Sequence, residues 1–208
     1  MVLTARPRAA VLLAALSSLA VMAATSAMSP ITPMPAMTAD DSATFDRVLG
    51  LLAQRRQGLA DFEQTQFLAL LKHPVRSSGV LRYEAPDHLE QLTLQPHAQR
   101  LVLDHGLLTL QVGAHQRTLP LQDYPQIAPL IDSVRATLAG DRAALEQHFE
   151  LGFQGDLEHW QLQLRPVDAS VAASVQRIRL SGERDAVRQV ELQQSNGDRS
   201  LMSITPRG

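Results

Sequence analysis

The stretch from Phe62 to Val112 most constrains what this chain can fold into. It alternates apolar and polar residues in short runs, each closed by Pro, Gly or Asp. In Gly79-Val80-Leu81-Arg82-Tyr83-Glu84, Leu81 and Tyr83 fall on one face and Arg82 and Glu84 on the other, because side chains alternate along a strand. By the same reading Leu92 and Leu94 share a face across Thr93, and Leu101 and Leu103 share one across Val102. Leu108, Leu110 and Val112 do so against Thr109 and Gln111. Pro86 follows the first run, and Asp104-His105-Gly106 makes a turn before the next. Short runs joined by tight turns describe an antiparallel meander.

Helical spacing flanks and interrupts this pattern. Phe45, Val48, Leu49 and Leu52 form one apolar stripe, which predicts a helix over Ser42–Gln57 with Asp41 or Ser42 as its cap and Gly58 at its end. Ile127, Leu130, Ile131, Val134 and Leu138 predict a second helix ended by Gly140, and Asp141 caps a short third one through His148. A second meander follows: Phe149, Leu151 and Phe153, then Trp160, Leu162 and Leu164, then Ile178 and Leu180, then Val190 and Leu192. Asn196-Gly197, a strong hairpin signal, leads into a last strand with Leu201 and Ile204. The expected fold class is mainly β with α. It is a single curved antiparallel sheet or partial barrel, with helices covering its concave face.

The N-terminus reads as an export signal. Arg6 and Arg8 precede the uncharged, Ala- and Leu-rich run Ala9–Ala24, and small residues follow to Ala27. The run is short for a membrane span, which needs roughly 20 apolar residues. An uncleaved N-terminal anchor is the alternative. The expected organisation is a signal peptide over 1–27, a Pro-rich linker over 28–39 and one domain over 40–208. The chain has no cysteine, so neither a disulfide nor an acylated N-terminal cysteine can form.

Several function classes lose support. The formal charge of −2 becomes −4 when Arg6 and Arg8 leave, a poor balance for a nucleic-acid partner. The nearest thing to a basic cluster, Arg177, Arg179, Arg184 and Arg188, alternates with Ile178, Leu180 and Val187 and reads as a solvated strand face. The seven histidines, among them His97, His105 and His115 near turns, lack the close ligand spacing of a metal site. No G-x-S-x-G elbow and no phosphate-cradling loop is present. Asp104 and His105 are adjacent in sequence, and adjacency gives the wrong geometry on a strand, where neighbours point to opposite faces; Asp61 with Glu63 is a weak acid–base pair. Neither a catalytic residue, a metal nor a cofactor is expected.

The remaining chemistry is apolar. Leu81, Tyr83, Leu92, Leu94, Leu101, Leu103, Leu108, Leu110, Phe153, Trp160, Leu162 and Leu164 would line one face of the sheet. Periodicity alone does not separate a filled core from a lipid cavity.

The order of features resembles the outer-membrane lipoprotein carrier (LolA) family. A signal and a helix precede Phe62-Glu63-Gln64-Thr65-Gln66-Phe67. Then come Gly79-Val80-Leu81-Arg82-Tyr83-Glu84-Ala85-Pro86, Pro96, Leu101-Val102-Leu103-Asp104-His105-Gly106, the helical insertion, and the closing Thr205-Pro206. The resemblance covers nearly the whole chain after the signal. It implies an incomplete antiparallel β-barrel, a curved half-barrel sheet with the helices as a lid, and a periplasmic carrier whose twelve residues above bind acyl chains of a lipid or lipidated cargo, without chemistry. An inner-membrane exporter and an outer-membrane acceptor are the partners it implies. One departure is specific. The carriers keep an arginine before the proline of the first sheet strand, where it helps latch the helical lid; here Ala85 stands. The aromatic of the following strand is also missing from Leu89-Glu90-Gln91-Leu92. Both favour a LolA-like paralogue with another amphiphile as cargo. The alternative is an envelope interaction protein with a filled core on the same fold.

Overall fold

A computed structural model describes residues 37–124 and 128–207. The expected signal, most of the linker and Ile127 lie outside them. In chain order the elements are α1 (Ala39–Gln54), β1 (Gln57–Phe67), β2 (Val75–Glu84), β3 (His88–Gln95), β4 (Gln99–Asp104), β5 (Leu107–Val112) and β6 (His115–Pro120). After a 3₁₀ turn at Leu121–Asp123 come α2 (Ala128–Ala139), α3 (Arg142–His148), β7 (Phe149–Gly155), β8 (Trp160–Pro166) and α4 (Ala169–Ala172). The chain ends with β9 (Val175–Glu183), β10 (Ala186–Gln194) and β11 (Arg199–Pro206).

All eleven strands form one sheet in the order β6-β5-β4-β3-β2-β1-β11-β10-β9-β8-β7. Every pairing is antiparallel, and β6 and β7 are the two edges, so the barrel is open. The two expected meanders are joined by β1, which pairs with β2 on one side and β11 on the other. The inward positions of β1 include Phe62, Gln64 and Gln66, all buried; two are polar, which hides the alternation from a hydrophobicity count.

Register carries the apolar rows across the sheet. Tyr83, Leu89, Leu103, Leu108 and Leu119 are successive partners in one half. Phe153, Leu162, Leu180, Val190 and Met202 are partners in the other. Leu92 and Leu94 depart from the expected face. Leu81 pairs with Gln91 and Tyr83 with Leu89, so the inward side of β3 holds Leu89 and Gln91. Leu92 turns away with Val80, and Leu94 is half exposed beside the register shift at Ser78–Gly79. A one-residue offset moves every side chain to the opposite face, and composition cannot fix that offset.

The helices fill the concave side. α1 buries the predicted Phe45, Val48, Leu49 and Leu52, and the Phe45 ring lies 5.3 Å from Phe153 of β7. Its cap is Thr38, whose hydroxyl accepts from Asp41 N–H while the Asp41 carboxylate accepts from Thr38. The cap lies upstream of the predicted one because this reciprocal box satisfies two free backbone donors. Gly58 is no helix terminus: Arg55 leaves the helix extended, and Gly58 is already in β1. Gly140 (φ 71) ends α2, and Asp141 caps α3 by accepting from Ala144 N–H. Arg142 of α3 reaches Ser42 and Asp46 of α1 at 2.8 and 2.9 Å, tying the helices into one layer.

Trp160 marks the tightest approach within the sheet. Its indole lies across Gly182, its partner on β9, and donates Nε1–H to Arg184 O at 3.1 Å. A Cβ at Gly182 would overlap the indole ring. Gly182→Ala is expected to lower stability by about 1–3 kcal/mol, the cost of overpacking a filled core. Trp160 is the sole tryptophan, so urea unfolding followed by its fluorescence checks this directly, together with a change in its native-state emission.

Candidate functional site: an apolar cavity under α2

A cavity of about 190 Å³ lies between the middle of the sheet, the end of α1 and α2. Gly58, Ala60, Leu81, Tyr83 and Leu89 form one side of its floor; Leu180, Val190, Met202 and Ile204 form the other. Leu52 of α1 and Leu130, Ile131, Val134, Thr137 and Leu138 of α2 form the roof. The space exists because the first inward positions of β1 are Gly58 and Ala60. A Cβ at Gly58 would meet nothing within 4 Å. A leucine there would fill the gap that the helices leave.

Of the twelve residues expected on the apolar face, Leu81 and Tyr83 line this cavity. Leu101, Leu103, Leu108, Phe153, Trp160, Leu162 and Leu164 lie in the continuous core, each 5% exposed or less, with Leu110 packed against it. Leu92 and Leu94 face away. Filled core and cavity thus coexist: the wings of the sheet are packed solid and its centre is not. The lining residues the sequence reading missed, such as Gly58, Ala60, Leu89 and Met202, had one available signal. Small side chains alternate inward at the start of β1.

The roof helix is held mainly by apolar contact. Ser133 and Thr137 are buried on α2, but their hydroxyls donate to the helix's own carbonyls, Leu130 O and Ser133 O, both at 2.7 Å. The polar link from α2 to the sheet that the described residues show is Arg135 Nη2 to Asp87 Oδ2 at 3.6 Å. Asp87 sits in the β2–β3 turn, right after Ala85-Pro86. An arginine of the helix thus faces a carboxylate of the turn that follows Ala85. Arg135 also pairs with Asp132 at 3.2 Å, and its buried Nε has no partner.

At the same end of the sheet Arg55 donates through Nε and Nη2 to Asp185 Oδ2, at 3.0 and 2.8 Å. Both residues line the cavity. This pair joins the end of α1 to the β9–β10 turn, and the Arg55 hydrogen bond holds the Asp185 carboxyl below its ordinary range.

Other candidates resolve into ion pairs. Arg179 meets Glu191, Arg184 meets Glu158 and Arg188 meets Glu183, while Arg177 donates to Gln193, so these arginines do not form an anion site. Asp104 and His105 do touch, at 2.9 Å, because His105 has φ 48 in a turn rather than strand geometry. Both side chains are exposed, 48% and 81%, so water screens the contact. Asp87 joins them with ligand atoms within 4.8 Å, a cluster the sequence spacing did not suggest, but Arg135 already neutralises Asp87.

Asp185→Asn is expected to lower the melting temperature slightly at neutral pH, since a partly exposed pair contributes about 1 kcal/mol or less. The folded carboxyl titrates below its unfolded value of about 3.9, so its contribution is full above that value. It is lost as pH falls through the folded value. Melting curves across pH should show wild type and variant converging only in acid.

The chain matches a family profile described as outer membrane lipoprotein carrier protein LolA-like, over residues 37–205. No curated protein matches it by sequence. Among solved structures it is similar to a LolA superfamily protein from Nitrosomonas europaea, with 10% identity, coverage of 81% of this chain and 94% of the other, and TM-score 0.41. A DUF1329 family protein from Desulfovibrio piger gives 8% identity, coverage of 81% and 92%, and TM-score 0.45. MucB in its complex with MucA from Pseudomonas aeruginosa gives 16%, 80% and 56%, and 0.44. With the profile spanning well over half of the chain, from the first described residue into β11, the chain belongs to the LolA-like family of outer membrane lipoprotein carrier proteins.

Proposed function

We propose that this protein is a periplasmic carrier that takes an acyl chain of a lipid or lipidated cargo beneath α2 and passes it between envelope membranes. The observation that carries this reading is the apolar cavity between a sheet floor thinned by Gly58 and Ala60 and a helix held chiefly by apolar contact. Its volume sets the mechanism. About 150 Å³ accommodates a benzene-sized guest, and drug-sized pockets start near 300 Å³. At about 190 Å³ the cavity takes a ring or a short chain as it stands. A full acyl chain enters only if α2 lifts.

The energetics allow that exchange. Lifting α2 uncovers Leu130, Ile131, Val134 and Leu138 and the floor beneath them. An acyl chain re-covers the floor, and each buried CH₂ contributes about 0.8 kcal/mol, so ten methylenes contribute roughly 8 kcal/mol. The helix face thus stands in for the cargo when the protein is empty, and Arg135–Asp87 biases the closed state. Release needs no chemistry, only an acceptor that covers the chain better.

Mass spectrometry of organic extracts from protein purified from periplasm should reveal a bound amphiphile, and a fluorescent fatty acid should bind the stripped protein. Gly58→Leu should weaken that binding at least tenfold with little change in melting temperature. Arg135→Ala should speed uptake by favouring the open state. Absence of any amphiphile together with no fatty-acid binding would overturn the carrier reading. It would leave the second one, an envelope interaction protein, which the solidly packed wings of the sheet favour.

A further inference from the structure

The β1–β2 connection, Leu68–Pro74, presents the most exposed large apolar side chain of the described residues: Leu70 is 89% exposed, beside Leu71 at 51%. The loop is clamped in this shape. Leu71 N–H donates to Leu68 O at 2.9 Å, and Ala69 N–H donates to Asp198 Oδ1 at 2.8 Å. Asp198 is itself buried in the β10–β11 turn and accepts from Asn196 Nδ2 at 2.9 Å. Arg199 lies over the Phe67 ring at 4.3 Å. The β10–β11 hairpin therefore holds the base of the tip, and Leu70 and Leu71 project from it.

Charge is segregated around the tip. Lys72 and Arg76 flank the tip, with no carboxylate along the chain between Glu63 and Glu84, in a protein whose net charge is negative; the neighbouring Asp198 carboxylate is buried and taken up by Ala69 N–H. Arg199 adds a further cation beside Phe67. Leucines at a fixed tip with cations behind them match an anionic bilayer: the apolar tip enters the acyl region and the cations meet the headgroups. A fluid phase needs no complementary pocket, which suits two side chains that project rather than line a groove. Holding the tip rigid in advance lowers the ordering cost of insertion.

We propose that the Leu70–Leu71 tip is a docking element for an anionic membrane surface. It lies at the opposite strand end from the cavity. Gly58 and Phe67 are nine residues apart on β1, about 30 Å at roughly 3.4 Å per residue. Docking by this tip leaves the cavity end turned away from the bilayer, so the tip tethers the protein rather than feeding the cavity. The proposal does not rest on the carrier reading.

The full mature chain, stripped of lipid, should co-sediment with phosphatidylglycerol-containing vesicles, less with phosphatidylcholine vesicles, and less as salt rises. The double variant Leu70→Glu, Leu71→Glu should lose binding at least tenfold at an unchanged melting temperature. Lys72→Glu with Arg76→Glu should remove the preference for anionic lipid. Gly58→Leu, which fills the cavity, should bind vesicles as wild type does. The proposal is overturned if wild type ignores anionic vesicles, if the leucine variant binds undiminished, or if Gly58→Leu abolishes binding, which would place vesicle contact at the cavity.

Discussion

Eleven strands paired in register place every second side chain on one concave face, and that face must be covered. The rest of the structure follows from this burial. Each fully buried leucine, isoleucine or phenylalanine contributes about 1.5–3 kcal/mol, so the rows from Phe153 to Met202 and from Tyr83 to Leu119 dominate the core. An open sheet cannot bury such rows against itself. α1, α2 and α3 lie across it, and the chain inserts two of them between its two meanders.

The cavity is the place where this covering is incomplete. Over β7–β9 the fit is close, down to an indole seated on Gly182. Over the start of β1 the floor drops to Gly58 and Ala60, and the helices above do not follow it down. Polar groups add orientation at the rim. Arg55–Asp185 joins α1 to the sheet, and Arg135–Asp87 joins α2 to it across a longer distance. The two helices forming the roof are thus held differently, and among the described residues the buried hydroxyls of α2 bond to its own backbone.

Much of the fold was legible in the sequence, because strand and helix periods are local. The stripe of α1, the stripe of α2 from Leu130 to Leu138, the Gly140–Asp141 junction and the Asn196-Gly197 hairpin all sit where their residues indicate. β1 was harder to read, since two of its inward residues are glutamines. Alternation places Leu92 and Leu94 on the shared apolar face, and the pairing turns them away, because alternation leaves the choice of face to the pairing partner. Strand geometry would point Asp104 and His105 to opposite faces, whereas a positive φ at His105 in the turn makes the two side chains meet.

The sequence alone determined the class of the protein: an antiparallel, leucine-lined sheet with amphipathic helices and the order of landmarks of the LolA-like family. Those properties depend on residue type and spacing along the chain. Tertiary structure decided which side chains surround empty space. A filled core and a cavity need the same apolar residues, and they differ only in how far a helix stands above the sheet. That height depends on Gly58 and Ala60 lining the same cavity as Val134 and Leu138, residues far apart in sequence. It also decided that a helix arginine, Arg135, faces the turn beside Ala85, because only the packed fold brings α2 over the β2–β3 turn.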